Sequence, residues 1–273
     1  MNCLTAKILI YLVIQTTYGI KKIYPKYLIN LALLHDLNLF EHKFYSEYNI
    51  LKQTIDTILL DFDGTIFDTA PDLVGALNTI LQERSLPPVD LEEFRFMAGA
   101  GALYLVQNAF KLYNQNICIK EITNELISNY YARLTLLTKP FPNAIETIKK
   151  LKDDGYTLGI CTNKPSLATN KILDHFELRR LFNVVVCGDQ VENKKPHADH
   201  LLYSLQLMNK AIRKAVMVGD TEADVLSAHN AGIPVIITDY GYSPIPCGQL
   251  GADLVISDFS ELPKSLRMIE TKF

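Results

Sequence analysis

The chain reads as an α/β protein: a Rossmann-like, doubly wound parallel sheet with a small helical cap inserted after the first strand. Three observations predict it. Short apolar, β-branched runs recur from residue 55 onward and are too brief for helices. Segments of helical periodicity separate successive runs, as crossovers between parallel strands require. One stretch, 71–138, carries helical segments only.

The elements follow in order. Residues 55–62 form a run ending in acids, the pattern of a strand buried on both faces. Residues 72–84 place Leu73, Leu77, Ile80 and Leu81 on one helical face, and Pro87-Pro88 closes the helix. Further helices are expected over 90–97, 101–113 and 119–137. Lys139-Pro140-Phe141-Pro142 reads as a rigid connector. Then strand and helix alternate: helix 143–152, strand 157–161, helix 166–176, strand 183–187 and helix 198–208. Strand 215–218, helix 222–231, strand 235–238, strand 254–256 and a final helix complete the chain. The expected division is a core of 54–70 and 139–273, a cap of 71–138, and an N-terminal extension of 1–53.

Composition bounds the rest. Of 273 residues, 48% are hydrophobic and 21% charged, enough apolar content for a large core and too much for disorder. The net charge of −3 gives no basic footprint for nucleic acid. The apolar run 8–14 falls short of the ~18 residues a membrane span needs. The cysteines Cys3, Cys118, Cys161, Cys187 and Cys247 are odd in number and show no CxxC spacing. They read as free thiols of a cytoplasmic protein. His197 and His200 lack a third ligand and read as polar residues on a helix surface. The extension is lysine-rich and lacks arginine. An export signal, a helical addition and translation from upstream of the true start all fit it, and the last, with a start near Leu51, is the favoured expectation.

In open α/β sheets ligands gather at the carboxyl ends of strands. Four strand ends carry polar residues. The first reads Asp61-Phe62-Asp63-Gly64-Thr65; two acids two apart can converge on one cation. A calcium loop is excluded, because its glycine stands sixth and here it stands fourth. A solvated Asp-Gly turn remains an equal reading of this segment alone. The second end, Cys161-Thr162-Asn163-Lys164-Pro165, offers a hydroxyl and loop amides suited to phosphate oxygens, or simply a helix start at Ser166. The third, Asn193-Lys194-Lys195-Pro196, offers an ammonium for a phosphoryl group, or a solvated lysine pair. In the fourth, Gly219-Asp220-Thr221-Glu222-Ala223-Asp224, Asp220 ends the strand and Thr221-x-x-Asp224 matches a capping box.

Together these four motifs resemble the haloacid dehalogenase superfamily of phosphohydrolases over about residues 55–265. The resemblance implies Asp61 as nucleophile, forming an aspartyl-phosphate, and Asp63 as general acid and base. It implies Mg²⁺ on Asp61, Asp63 and Asp220, with Asp224 orienting that shell. Thr162, Asn163 and Lys195 would hold the phosphoryl oxygens. Phosphomonoester hydrolysis needs accelerations of up to ~10²¹, which explains why so many charged groups converge. A receiver-type signalling module would use a similar aspartate, but lacks a counterpart of Asp63 and any insertion. A phosphomutase of the superfamily would share every core residue.

DTAPDL at 68–73, TNKP at 162–165, KKPHADHLL at 194–202, VMVGD at 216–220 and Tyr240-Gly241-Tyr242 are similar to phosphoglycolate phosphatases. Ala198 and His200 stand where those relatives commonly have prolines. The resemblance implies a small phosphorylated metabolite as substrate, with Arg95 of the cap as a candidate carboxylate partner or a solvated helix charge. The alternative is an amino-sugar phosphate such as N-acetylmuramate 6-phosphate. The enzyme is expected as a monomer or homodimer.

Overall fold

The structure, a computed structural model, describes residues 55–97, 102–113 and 118–272, the side chains of residues 95–97 and 272 excepted. The expectations for 1–53 and for the Arg95 side chain lie outside these.

Six strands form one parallel sheet: β1 (Thr57–Leu60), β4 (Thr157–Thr162), β5 (Val184–Cys187), β6 (Ala215–Gly219), β7 (Val235–Thr238) and β8 (Leu254–Ile256). Their order is β5-β4-β1-β6-β7-β8. Leu60 is flanked by Ile160 of β4 and Val218 of β6. The chain winds outward from β1 in both directions, so β1 is the switch point where strand order reverses.

Successive residues of a strand point to opposite faces, and both faces here are buried. Ile58, Leu60, Val216, Val218 and Ile236 belong to one apolar cluster. Leu59, Ala215, Met217, Val235 and Ile237 belong to the other. That is why these strands read as unbroken apolar runs. On the second face α7 (Ala198–Leu207) packs against α8 (Glu222–Ala231). The first face is covered in part by α5 (Ala144–Asp153) and α9 (Leu262–Lys272), while α6 (Ser166–His175) packs beside β5.

Among the described residues, four helices precede α5 in the passage from β1 to β4: α1 (Ala70–Glu83), α2 (Leu91–Met97), α3 (Ala102–Leu112) and α4 (Ile119–Tyr131). Pro71 sits in the first turn of α1, where its missing N–H costs no helical bond. Leu77, Ile80, Leu105, Phe110 and Leu126 meet in their shared interior.

The connector at 139–142 turns out to contain a strand. β2 (Phe67–Asp68) pairs antiparallel with β3 (Lys139–Pro140), joining the two chain passages at the base of the insertion. Helix α4 ends at Tyr131, earlier than the expected 137. Beyond that end, fully buried Asp72 accepts from the backbone N–H of Leu137 and Thr138 and from the Thr138 hydroxyl. His200, expected on a surface, is buried, and its Nε2 lies 3.2 Å from the Val186 carbonyl; His197 is exposed. Among the described residues no helix is long and apolar enough to cross a membrane.

Candidate active site

The ends of β1, β4 and β6 converge as the switch point requires. Asp61 leaves β1 with its N–H donating to the Val218 carbonyl of β6 at 2.9 Å. The chain then folds back sharply: Ile66 and Phe67 both donate to the Phe62 carbonyl, and Gly64 donates to Phe67. Gly64 has φ +80°, and a Cβ there would lie 2.1 Å from Asp220 Oδ2. Both the backbone conformation and the space demand glycine.

Lys195 is buried between two carboxylates. Its Nζ lies 2.9 Å from Asp61 Oδ1 and 2.6 Å from Asp224 Oδ1. Burial alone would lower its pKa, but Asp224 and Asp61 raise it far above the usual range, so it is cationic. The other oxygen of Asp224 accepts from the Thr221 N–H and hydroxyl at 3.0 and 2.8 Å. Asp224 therefore closes the capping box of α8 and anchors Lys195 at once.

Asp220 accepts from the Thr65 hydroxyl at 3.2 Å and from the Tyr242 N–H at 2.7 Å. The Tyr242 hydroxyl reaches the base of the insertion. It accepts from the N–H of Thr69 and Ala70 and donates to Asp68. Thr162 ends β4 with its hydroxyl accepting from the Lys164 N–H. The Asn163 side-chain amide donates to the Lys195 carbonyl at 2.9 Å, which ties two strand-end loops together.

Asp61, Asp220 and Asp224 are all buried, and each offers an oxygen within 4.8 Å of the others. Burial, only partly offset by Lys195, pushes Asp61 up to about 6. Burial, then Asp224 and Asp61, push Asp220 well above its usual range. Four carboxylates, counting Asp63, face two ammonium groups, Lys164 and Lys195. A divalent cation would balance that charge, and an oxygen-rich donor set suits a hard one.

Asp63 points away from this cluster. Its Oδ1 accepts from the Thr69 hydroxyl at 2.6 Å and from Lys164 Nζ at 2.9 Å. Lys164 also donates to the Tyr130 hydroxyl of α4 at 2.5 Å. Sequence reasoning gave Lys164, Tyr130, Asp72 and Tyr242 no role. Lys164 and Tyr242 stood inside quoted motifs; nothing in the sequence singled out Tyr130. A cavity of about 280 Å³ opens over these groups, with Asp61, Thr162 and Lys195 at its floor and Phe94, Leu126 and Tyr130 of the insertion among its walls. Arg95 lies on α2, and its side chain is outside the described residues.

Residues 58–238 match the family described as haloacid dehalogenase-like hydrolase. A phosphoglycolate phosphatase of Caulobacter vibrioides is 38% identical over 77% of this chain and 90% of its own length. One of Agrobacterium fabrum is 34% identical over 76% and 91%. The crystal structure of a predicted phosphoglycolate phosphatase from Haemophilus somnus superposes with a TM-score of 0.73 at 29% identity, covering 78% of this chain and 98% of that one.

Proposed function

Because the chain belongs to the haloacid dehalogenase-like hydrolase family and is a phosphatase, we propose that it hydrolyses 2-phosphoglycolate to glycolate and phosphate through an aspartyl-phosphate on Asp61. The observation that carries this reading is the Asp61–Lys195–Asp224 ion-pair chain beside Asp220, at the adjoining ends of β1 and β6 with Lys195 supplied by the loop after β5. The relatives named above supply the substrate.

Asp61 attacks phosphorus and the ester P–O bond breaks. Asp63 delivers a proton to the departing alkoxide, then takes one from the water that attacks the aspartyl-phosphate. Lys195, Thr162 and the backbone amides after β4 hold the phosphoryl oxygens and stabilise the charge spread over them. Asn163 keeps Lys195 in place. Asp61, Asp220 and the Asp63 carbonyl would hold Mg²⁺, with Asp224 orienting the set. When bound, that ion neutralises phosphate charge and fixes the in-line approach.

Residues 71–138 act as a cap over a core of 54–70 and 139–273, excluding water from the chamber. The enzyme works on a small metabolite in the reducing cytoplasm, in keeping with the free thiols of Cys161 and Cys187, as a monomer or homodimer. A substrate panel of 2-phosphoglycolate, N-acetylmuramate 6-phosphate, glucose 1-phosphate and pyrophosphate, run with and without EDTA, tests the reading. It expects the highest kcat/KM for 2-phosphoglycolate and no turnover in chelator until Mg²⁺ is restored. Preference for the amino-sugar phosphate, or isomerisation of the sugar phosphate, would replace the substrate while keeping the chemistry.

A further inference from the structure

The ammonium of Lys164 occupies an unusual place. Lys164 is 7% exposed, at the wall of a mostly apolar chamber. Its Nζ contacts both oxygens of Asp63, at 2.9 and 3.2 Å, and the Tyr130 hydroxyl. It also lies 4.7 Å from the centre of the Tyr130 ring. A buried ammonium needs an anion. Burial pulls its pKa down, yet the Asp63 charge and Tyr130 hold it above the usual lysine range.

Asp63 cannot serve Lys164 and the reaction together. To act on a leaving oxygen its carboxyl must turn from the ammonium and face that oxygen. Lys164 then loses the carboxylate it contacts and requires another anion. The Asp63 side chain is 31% exposed, and so open to exchange, whereas that of Lys164 is 4% exposed and stays in place. In 2-phosphoglycolate one methylene separates the ester oxygen from the carboxylate. A molecule that sets its ester oxygen beside Asp63 brings its carboxylate beside the partners of Asp63.

We propose that Lys164, steadied by Tyr130, receives the substrate carboxylate and thereby releases Asp63 to act on the leaving oxygen. This rests on the 2-phosphoglycolate reading and deepens it. The carboxylate displaces Asp63 from the ammonium, so recognition and release are one event. A phosphomonoester without the carboxylate leaves Asp63 paired with Lys164 and turns over slowly. Tyr130 sits on the insertion, so the same contact ties α4 to an occupied site.

The test compares 2-phosphoglycolate with ethyl phosphate, which has a methyl group in place of the carboxylate. Wild type is expected to favour 2-phosphoglycolate in kcat/KM by roughly 100-fold, the scale of a desolvated charge-assisted contact. Lys164→Met should collapse that ratio toward one, Lys164→Arg should restore part of it, and Tyr130→Phe should raise KM for 2-phosphoglycolate several-fold while sparing ethyl phosphate. The Tyr130 variant removes one hydroxyl, so it carries the test should Lys164→Met misfold. A ratio in Lys164→Met close to that of wild type, with both substrates slowed alike, overturns the inference and leaves the substrate reading intact. A wild type without preference for 2-phosphoglycolate overturns both.

Discussion

Lys195 offers the sharpest energetic test, because its environment leaves little room for compensation. Lys195→Met keeps the volume of the side chain and removes the charge. The Asp61 and Asp224 carboxylates, 2.9 and 2.6 Å from the ammonium, would then face each other with no cation between them. Both lysine and Asp224 side chains are nearly inaccessible, at 2% and 0%, so solvent cannot replace the lost partner. Breaking a buried pair by removing one member costs about 3–5 kcal/mol. For a domain of this size that lowers Tm by roughly 6–20 °C. Asp224→Asn alone should also destabilise, since an amide cannot accept from Lys195 and from three donors at Thr221 and Asp220 at once. The informative variant is the double one. With Met at 195 and Asn at 224 the cluster holds neither an unpaired ammonium nor two opposed charges, so its loss should fall about 2–3 kcal/mol short of the summed single losses. Urea denaturation of the four proteins in EDTA measures this coupling. Additive losses, within about 0.5 kcal/mol, would refute the ion-pair chain as the organiser of the site.

Two further outcomes follow from the packing. Gly241→Ala should loosen Asp220, because the added Cβ would lie 2.3 Å from Asp220 Cβ and displace the 2.7 Å bond from Tyr242; half-maximal Mg²⁺ should rise about tenfold or more, a cost of ~1–3 kcal/mol, and an unchanged Mg²⁺ titration would contradict the placement. His200 is lowered from 6.5 to about 4 by burial and then by Lys195. The folded chain thus binds fewer protons than the unfolded one between these values, and stability falls as pH drops from about 6.5 to 4. His200→Gln should flatten that fall by up to ~3 kcal/mol in pH-resolved urea titrations, and an identical slope would remove His200 from the account.

The sheet was legible because strands buried on both faces leave a direct mark: unbroken apolar runs such as those ending at Leu60 and Val218. Their polar endings were legible for the same reason, since the fold places every strand end on one side. The less legible features depend on contacts across long separations. Lys164 meets Asp63 across 101 residues, and its residue type does not distinguish it from the exposed Lys194. Asp72 reads as an ordinary acid in a first helical turn, yet it accepts from the backbone of a passage 65 residues on. The β2–β3 pair is two residues long on each side, below any periodicity. The polarity of His200 suggests a surface, while the turn of α7 directs it inward, where it is fully buried.

The central claim is that Asp61 is the phosphorylated nucleophile, and the direct measurement is to catch it. The enzyme is mixed with 2-phosphoglycolate and Mg²⁺, quenched in acid within milliseconds, reduced with borohydride and mapped by peptide mass spectrometry. An acyl-phosphate is reduced to the alcohol, whereas a free carboxylate is not. The account predicts reduction at Asp61, and none in Asp61→Asn or without substrate. A phosphoenzyme on any other residue would contradict it.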